Sequence, residues 1–166
     1  DMVHWTQLEH ALHPDKLGTI FSGSAVIDWH NTSGLGEDNT PPMVVFYTSA
    51  GSDPVPFTQS IAFSNDHGRS WKKYEHNPIL DHIVGENRDP KVLWDVESRQ
   101  WLMALYLSKS DYAIYGSENL LKWKPICRLE LPGVSECPDL FQLPLDENQN
   151  DKHWIYWGAN GSYVIG

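Results

Sequence analysis

Two short stretches place carboxylates among residues that could put them to chemical use. Glu136-Cys137-Pro138-Asp139 stands just ahead of an apolar run, and Asn87-Arg88-Asp89-Pro90 stands at the head of another. Cleavage of a glycosidic bond uses a pair of carboxyl groups around an oxocarbenium-like transition state. One of them must be protonated near neutral pH, which a glutamate beside other carboxylates and partly desolvated can achieve. Glu136 has the longer reach and a thiol neighbour, so it is the candidate acid/base. Asp89, next to Arg88, is expected to stay ionised, to hold sugar hydroxyls and to stabilise positive charge. Taken singly, each cluster could also be an ordinary turn opener, because proline fixes φ and aspartate caps turns.

The chain that must position these groups has 166 residues, 40% of them apolar and 20% charged, which suits one folded domain. Acidic residues outnumber basic ones 22 to 12, for a net charge of −10. That argues against a nucleic-acid partner, whose backbone is bound by clustered Lys and Arg. No apolar run has the length of a membrane span, and no basic-plus-apolar leader opens the chain. Cys127 and Cys137 fit neither a disulfide framework nor a metal site and read as buried free thiols. Eight Trp and seven Tyr suit both β-sheet cores and sugar stacking.

Helical signals are poor. Short β-branched and aromatic runs such as MVVFYTS, SIAFS, WLMALYLS and HWIYWGA alternate with turn-rich segments such as DVESRQ and PLDENQNDK. The pattern predicts an all-β fold built of hairpins. Its phrases recur. DMVHW, SNDHGRSW and SENLLKW end on Trp5, Trp71 and Trp123, spaced by 66 and 52 residues. The middle phrase fits S-x-D-x-G-x-x-W, similar to the Asp-box hairpin of some propellers. Such periods suggest four-stranded propeller blades. One blade is predicted from strands at Phe21–Asp28, Met43–Ser49, Gln59–Ser64 and onward from Trp71. The next runs over Asp89–Asp95, Trp101–Ser108, Tyr112–Ser117 and onward from Trp123. A further blade starts at Pro138 and continues through His153–Ala159 and from Ser162. The chain would then hold the outer strand of one blade, two whole blades and most of another, an internal portion of about three blades. A β-sandwich of about ten strands is the rival architecture.

The polar clusters share one phase of this repeat. FSGS (Phe21–Ser24) begins 16 residues after Trp5, NRDP 16 after Trp71, and ECPD 13 after Trp123. Each opens the innermost strand of its blade, and innermost strands of a propeller line one channel. Independent turns would have no reason to share a phase, so the three clusters are expected to converge.

FSGS, RDP and ECPD, in this order, together with SAVIDWHNTSG, DPKVLW, DLFQLP and GSYVIG, resemble glycoside hydrolase family 32, the invertases, levanases and inulinases. The resemblance covers nearly the whole chain. It implies a five-bladed β-propeller with a C-terminal β-sandwich, the latter absent from this chain. It implies retaining cleavage of β-fructosides through a covalent fructosyl-enzyme, with no metal and no cofactor. By motif match Glu136 would be the acid/base and Asp89 the transition-state stabiliser. Arg88, Phe21 and Ser22 would bind the fructosyl unit, and Cys137 would tune Glu136. The expected partner is a fructose-containing oligo- or polysaccharide, with no nucleic acid and no membrane; open sheet edges would favour self-association. Fructan use favours a secreted protein and leaves a cytoplasmic one open. The family's nucleophilic Asp lies in a W-M-N-D-P-N-G motif that this chain lacks. Asp66 of NDHG falls out of phase, and Asp28 falls at the far end of its strand. The nucleophile is therefore expected outside this chain, which alone would be inactive. Alternatives are a non-catalytic carbohydrate-binding propeller fragment and a five-bladed glycosidase acting on another sugar.

Overall fold

The computed structural model describes residues 3–144 and 151–166, with eleven strands and no helix among them. The strands form three antiparallel sheets, each a meander of consecutive strands. The first contains β1 (Thr19–Ile27), β2 (Met43–Ala50), β3 (Thr58–Ser64) and the short β4 (Lys72–Lys73). The second contains β5 (Arg88–Asp95), β6 (Gln100–Ser108), β7 (Asp111–Ser117) and β8 (Lys124–Glu130). The third contains β9 (Asp139–Pro144), β10 (Lys152–Trp157) and β11 (Tyr163–Ile165). Three separate meanders replace the two facing sheets of a sandwich.

Strand β6 shows why the sheets stack side by side. Side chains alternate faces along a strand, and here both faces are apolar. Trp101, Met103, Leu105 and Leu107 join Val44, Phe46, Ile61 and Phe63 of the first sheet in one core. Leu102, Ala104 and Tyr106 face the other way and pack with Leu140 and Tyr156 of the third sheet. Burying each large side chain contributes about 1.5–3 kcal/mol, so the middle sheet is held from both sides.

The tryptophan repeat has a structural cause. Trp71 Nε1 donates to the carbonyl of Gly68 at 3.1 Å, and Trp123 Nε1 donates to that of Leu120 at 2.9 Å. Gly68 and Leu120 both take positive φ, 81° and 63°. In the middle phrase Asp66 accepts from Ser70 Oγ, Ser64 Oγ and the backbone N–H groups of Arg69 and Ser70. Those bonds hold its carboxyl well below the usual aspartate range. Asn119 substitutes for it in the last phrase, accepting from the N–H groups of Leu121 and Lys122. The first phrase differs. Residues 4–10 form no strand and Trp5 is exposed. Asp1 and Met2 of that phrase, and most of the PLDENQNDK turn, lie outside the described residues.

Asp28 follows β1 and is fully buried. Its Oδ1 accepts from the N–H and hydroxyl of Thr32, and its Oδ2 from those of Ser33, at 2.8–3.1 Å. Thr32 Oγ1 in turn accepts from Trp101 Nε1 of the second sheet at 2.9 Å. Both oxygens are bonded within this loop. Asp28→Ala is expected to cost about 2 kcal/mol, because it leaves four part-buried donors without their acceptor. A urea denaturation midpoint that does not move would refute that assignment.

Candidate active site

Two of the three inner strands are irregular where the clusters lie. The β1–β2 register shifts between Ile20 and Gly23, and the β5–β6 register shifts between Arg88 and Lys91. A bulge bends the strand and re-aims the side chains it carries. The sequence explains both. A Cβ on Gly23 would lie 1.8 Å from the carbonyl oxygen of Phe46, so only glycine allows that approach. Pro90 has no N–H to give to a ladder and is tolerated where the ladder is broken. Ser24 ties the two bulged strands together: its hydroxyl donates to the Pro90 carbonyl at 2.8 Å and accepts from Val92 N–H at 3.0 Å. The third cluster lies in the turn before β9.

Asp89, Glu136 and Cys137 all adopt positive φ, at 62°, 63° and 39°. Such values cost non-glycine residues of order 1–3 kcal/mol and persist only when their surroundings fix them. Tyr112 fixes one turn: its hydroxyl donates to the Glu136 carbonyl at 3.2 Å. Burial pushes that phenol up to about 12, with Tyr106 adding to the effect, so it stays a donor through neutral pH. Asp89 is held by its N–H, which donates to Thr48 Oγ1 at 3.0 Å.

These turns bring the carboxylates together around one cation. Arg88 Nη2 meets Glu136 Oε1 at 2.6 Å, and Arg88 Nε lies 3.9 Å from Asp89 Oδ2. Arg88 Nη1 also donates to the Glu86 carbonyl at 2.9 Å and to its Oε2 at 3.1 Å. The Tyr106 ring supports the guanidinium at 4.9 Å. Burial opposes the charge on Arg88, but Glu136 and Asp89 outweigh it and raise its pKa. The site is therefore a fixed cation flanked by a half-exposed glutamate and a buried aspartate.

Asp89 Oδ2 accepts the N–H of Cys137 at 2.9 Å and faces its sulfur at 3.5 Å. The thiol thus touches the aspartate that was expected to partner Glu136. Burial and the charge of Asp89 push the thiol pKa up. Both cysteines are exposed, not buried as expected. Cys127 lies on β8, the outermost strand of its sheet, and Cys137 opens onto a cleft.

That cleft, about 540 Å³, lies among the three inner strands. Ser22, Ser24, Asp89, Lys91, Cys137 and Asp139 line it, with Trp157 on one wall. Ser22 and Asp89 line the same cleft. Phe21, Arg88 and Glu136 are not among the residues that line the cleft, and the Phe21 ring packs edge-on against Phe57 at 5.8 Å. Residue motifs alone did not single out Lys91, whose Nζ pairs with Asp139 Oδ1 at 2.8 Å across the inner strands. Nor did they single out Tyr106, Tyr112 or Trp157, which read in sequence as sheet core. Among the described residues no group of His, Cys, Asp or Glu could hold a metal ion.

A levanase of Bacillus subtilis is 44% identical over 99% of this chain, which spans 25% of that protein. An invertase of Schizosaccharomyces pombe is 35% identical over the whole chain, which spans 31% of its length. The fructofuranosidase of Schwanniomyces occidentalis, solved with fructose, superposes with a TM-score of 0.85 at 36% identity, over all of this chain and 36% of its own. The exo-inulinase of Aspergillus awamori gives 0.74 at 34% identity, over 83% of this chain and 31% of its own. This chain thus spans about a quarter to a third of these relatives, and its three sheets are part of a five-bladed β-propeller. With the model of the glycosyl hydrolases family 32 N-terminal domain matching residues 1–164, the chain belongs to glycoside hydrolase family 32.

Proposed function

We propose that the protein carrying this chain hydrolyses β-fructosidic bonds with retention at the anomeric carbon. The observation that carries this reading is the Arg88 bridge, which assembles Glu136 and Asp89 from separate clusters beside one cleft. The names of the relatives, levanase, invertase and fructofuranosidase, support a β-fructoside substrate. Glu136 donates a proton to the departing oxygen and later takes one from the incoming water. Substrate must first displace its contact with Arg88 Nη2. Among the described residues Asp89 Oδ1 has no hydrogen-bond partner, while Oδ2 is held by Cys137. Oδ1 is thus free to bind a sugar hydroxyl and to face positive charge in the transition state.

Retention also needs a carboxylate that attacks carbon. Asp28 and Asp66 are each saturated by their own loops, and Asp139 is paired with Lys91. The resemblance puts the attacking Asp in a W-M-N-D-P-N-G motif that this chain lacks, so the attacking group is assigned to a part of the protein outside this chain, and the 166-residue chain alone is expected to show little turnover. Sucrose, inulin and levan incubated with the full-length protein should release fructose, first as the β-anomer by NMR. No release from any of them, or an α-product, overturns the proposal. Robust turnover by the 166-residue chain, abolished by Glu136→Gln, overturns the placement of the nucleophile.

A further inference from the structure

A closed circuit of buried hydrogen bonds lies behind the Arg88-Asp89 turn. Thr48 on β2 and Gln59 on β3 are fully buried, as is Asn87 ahead of β5. Thr48 Oγ1 accepts the Asp89 N–H at 3.0 Å and donates to Gln59 Oε1 at 2.8 Å. Gln59 Nε2 then donates to the Asn87 carbonyl at 3.0 Å. The Asn87 side chain closes the preceding loop, its Oδ1 accepting from Ile83 and Val84 N–H at 3.0 and 3.3 Å.

The chemistry of the groups allows one direction of donation. A backbone N–H can only donate, so the Thr48 oxygen must accept there. Its single proton then goes to Gln59, which must present oxygen to Thr48 and nitrogen to Asn87. The circuit grips the backbone on both sides of Arg88, at Asn87 and at Asp89. Thr48 and Gln59 share a sheet face with Phe46 and Ile61, which are apolar and buried. Two polar side chains in such a place are costly unless satisfied, and what satisfies them is the site turn.

We propose that Thr48 and Gln59 are positioning residues that hold Asp89 at positive φ and aim Arg88 at Glu136. The inference rests on the fructoside reading for its kinetic test alone. A second readout is independent of substrate. Asp89 Oδ2 faces the Cys137 sulfur and adds to the burial that keeps the thiol protonated. If Asp89 swings away, Cys137 ionises more readily and alkylates faster. Cys127 on β8 is the internal reference.

Iodoacetamide labelling of the full-length protein at pH 8, followed by peptide mass analysis, reads both thiols. Thr48→Val removes the hydroxyl and keeps the shape. It should raise the Cys137-to-Cys127 rate ratio roughly threefold or more. With sucrose or levan it should lower kcat about tenfold or more, with KM changed far less, as misplaced catalytic groups do. Thr48→Ser should restore both, and Gln59→Met should repeat the Thr48→Val result. A Thr48→Val protein with unchanged ratio and kcat overturns the proposal. So does a Thr48→Ser protein as impaired as Thr48→Val. Loss of stability alone would speed both cysteines equally and counts against it too. A shifted ratio in a protein whose wild type cleaves no fructoside leaves the positioning role standing and overturns the fructoside reading.

Discussion

Glu136→Gln is expected to lower fructoside turnover by about 10²- to 10⁴-fold, the range that a positioned general acid/base contributes. The amide keeps the shape and can still accept from Arg88 Nη2, which the glutamate meets at 2.6 Å. The positive φ of Glu136 and the Tyr112 bond to its carbonyl are backbone features and should survive the change. What is lost is the transferable proton. The loss should therefore depend on the leaving group: fructosyl fluoride, which needs little protonation to depart, should react with the variant far better than sucrose does. Equal losses on both substrates would mean that Glu136 acts through structure, and the acid assignment would fall.

Asp89→Asn is expected to lower kcat by about 10²- to 10³-fold while leaving KM within a few-fold. Asparagine is the informative choice because it tolerates positive φ better than most residues, and Asp89 sits at φ 62°. The bond to Thr48 uses the backbone and is retained. An amide oxygen can still accept the Cys137 N–H, but without charge. The variant removes the negative charge that would face the developing cation, and little else. A thermal midpoint close to wild type together with the kcat loss would separate electrostatics from folding. Wild-type kcat in a folded Asp89→Asn protein would remove Asp89 from the chemistry.

The motifs made the level of the site legible before any coordinates, because FSGS, RDP and ECPD share a phase with the tryptophan hairpins. The strands were legible because short, continuously apolar runs such as WLMALYLS are bounded by turn residues. The Asp66 hairpin was readable from its local bonds. Other features depend on which strand lies beside which. Arg88 reaches Glu136 and Asp89 reaches Cys137 only because two inner strands stand next to each other, and no local pattern encodes that distance. Thr48 and Gln59 look like ordinary strand residues until Asp89 is placed against them. The exposure of Cys127 follows from β8 being the outermost strand of its sheet, a placement to which propensity is blind.

The bulges at Ile20/Gly23 and Arg88/Lys91 have a consequence for how such a site changes over evolutionary time. Each is a local excursion that closes within about one strand pair, and below it the ladders resume regular register. A length change or a substitution at the rim is absorbed there and does not shift the alternation of β6 and its neighbours. The bulged strand ends can therefore change while the regular ladders beyond them keep the core in register.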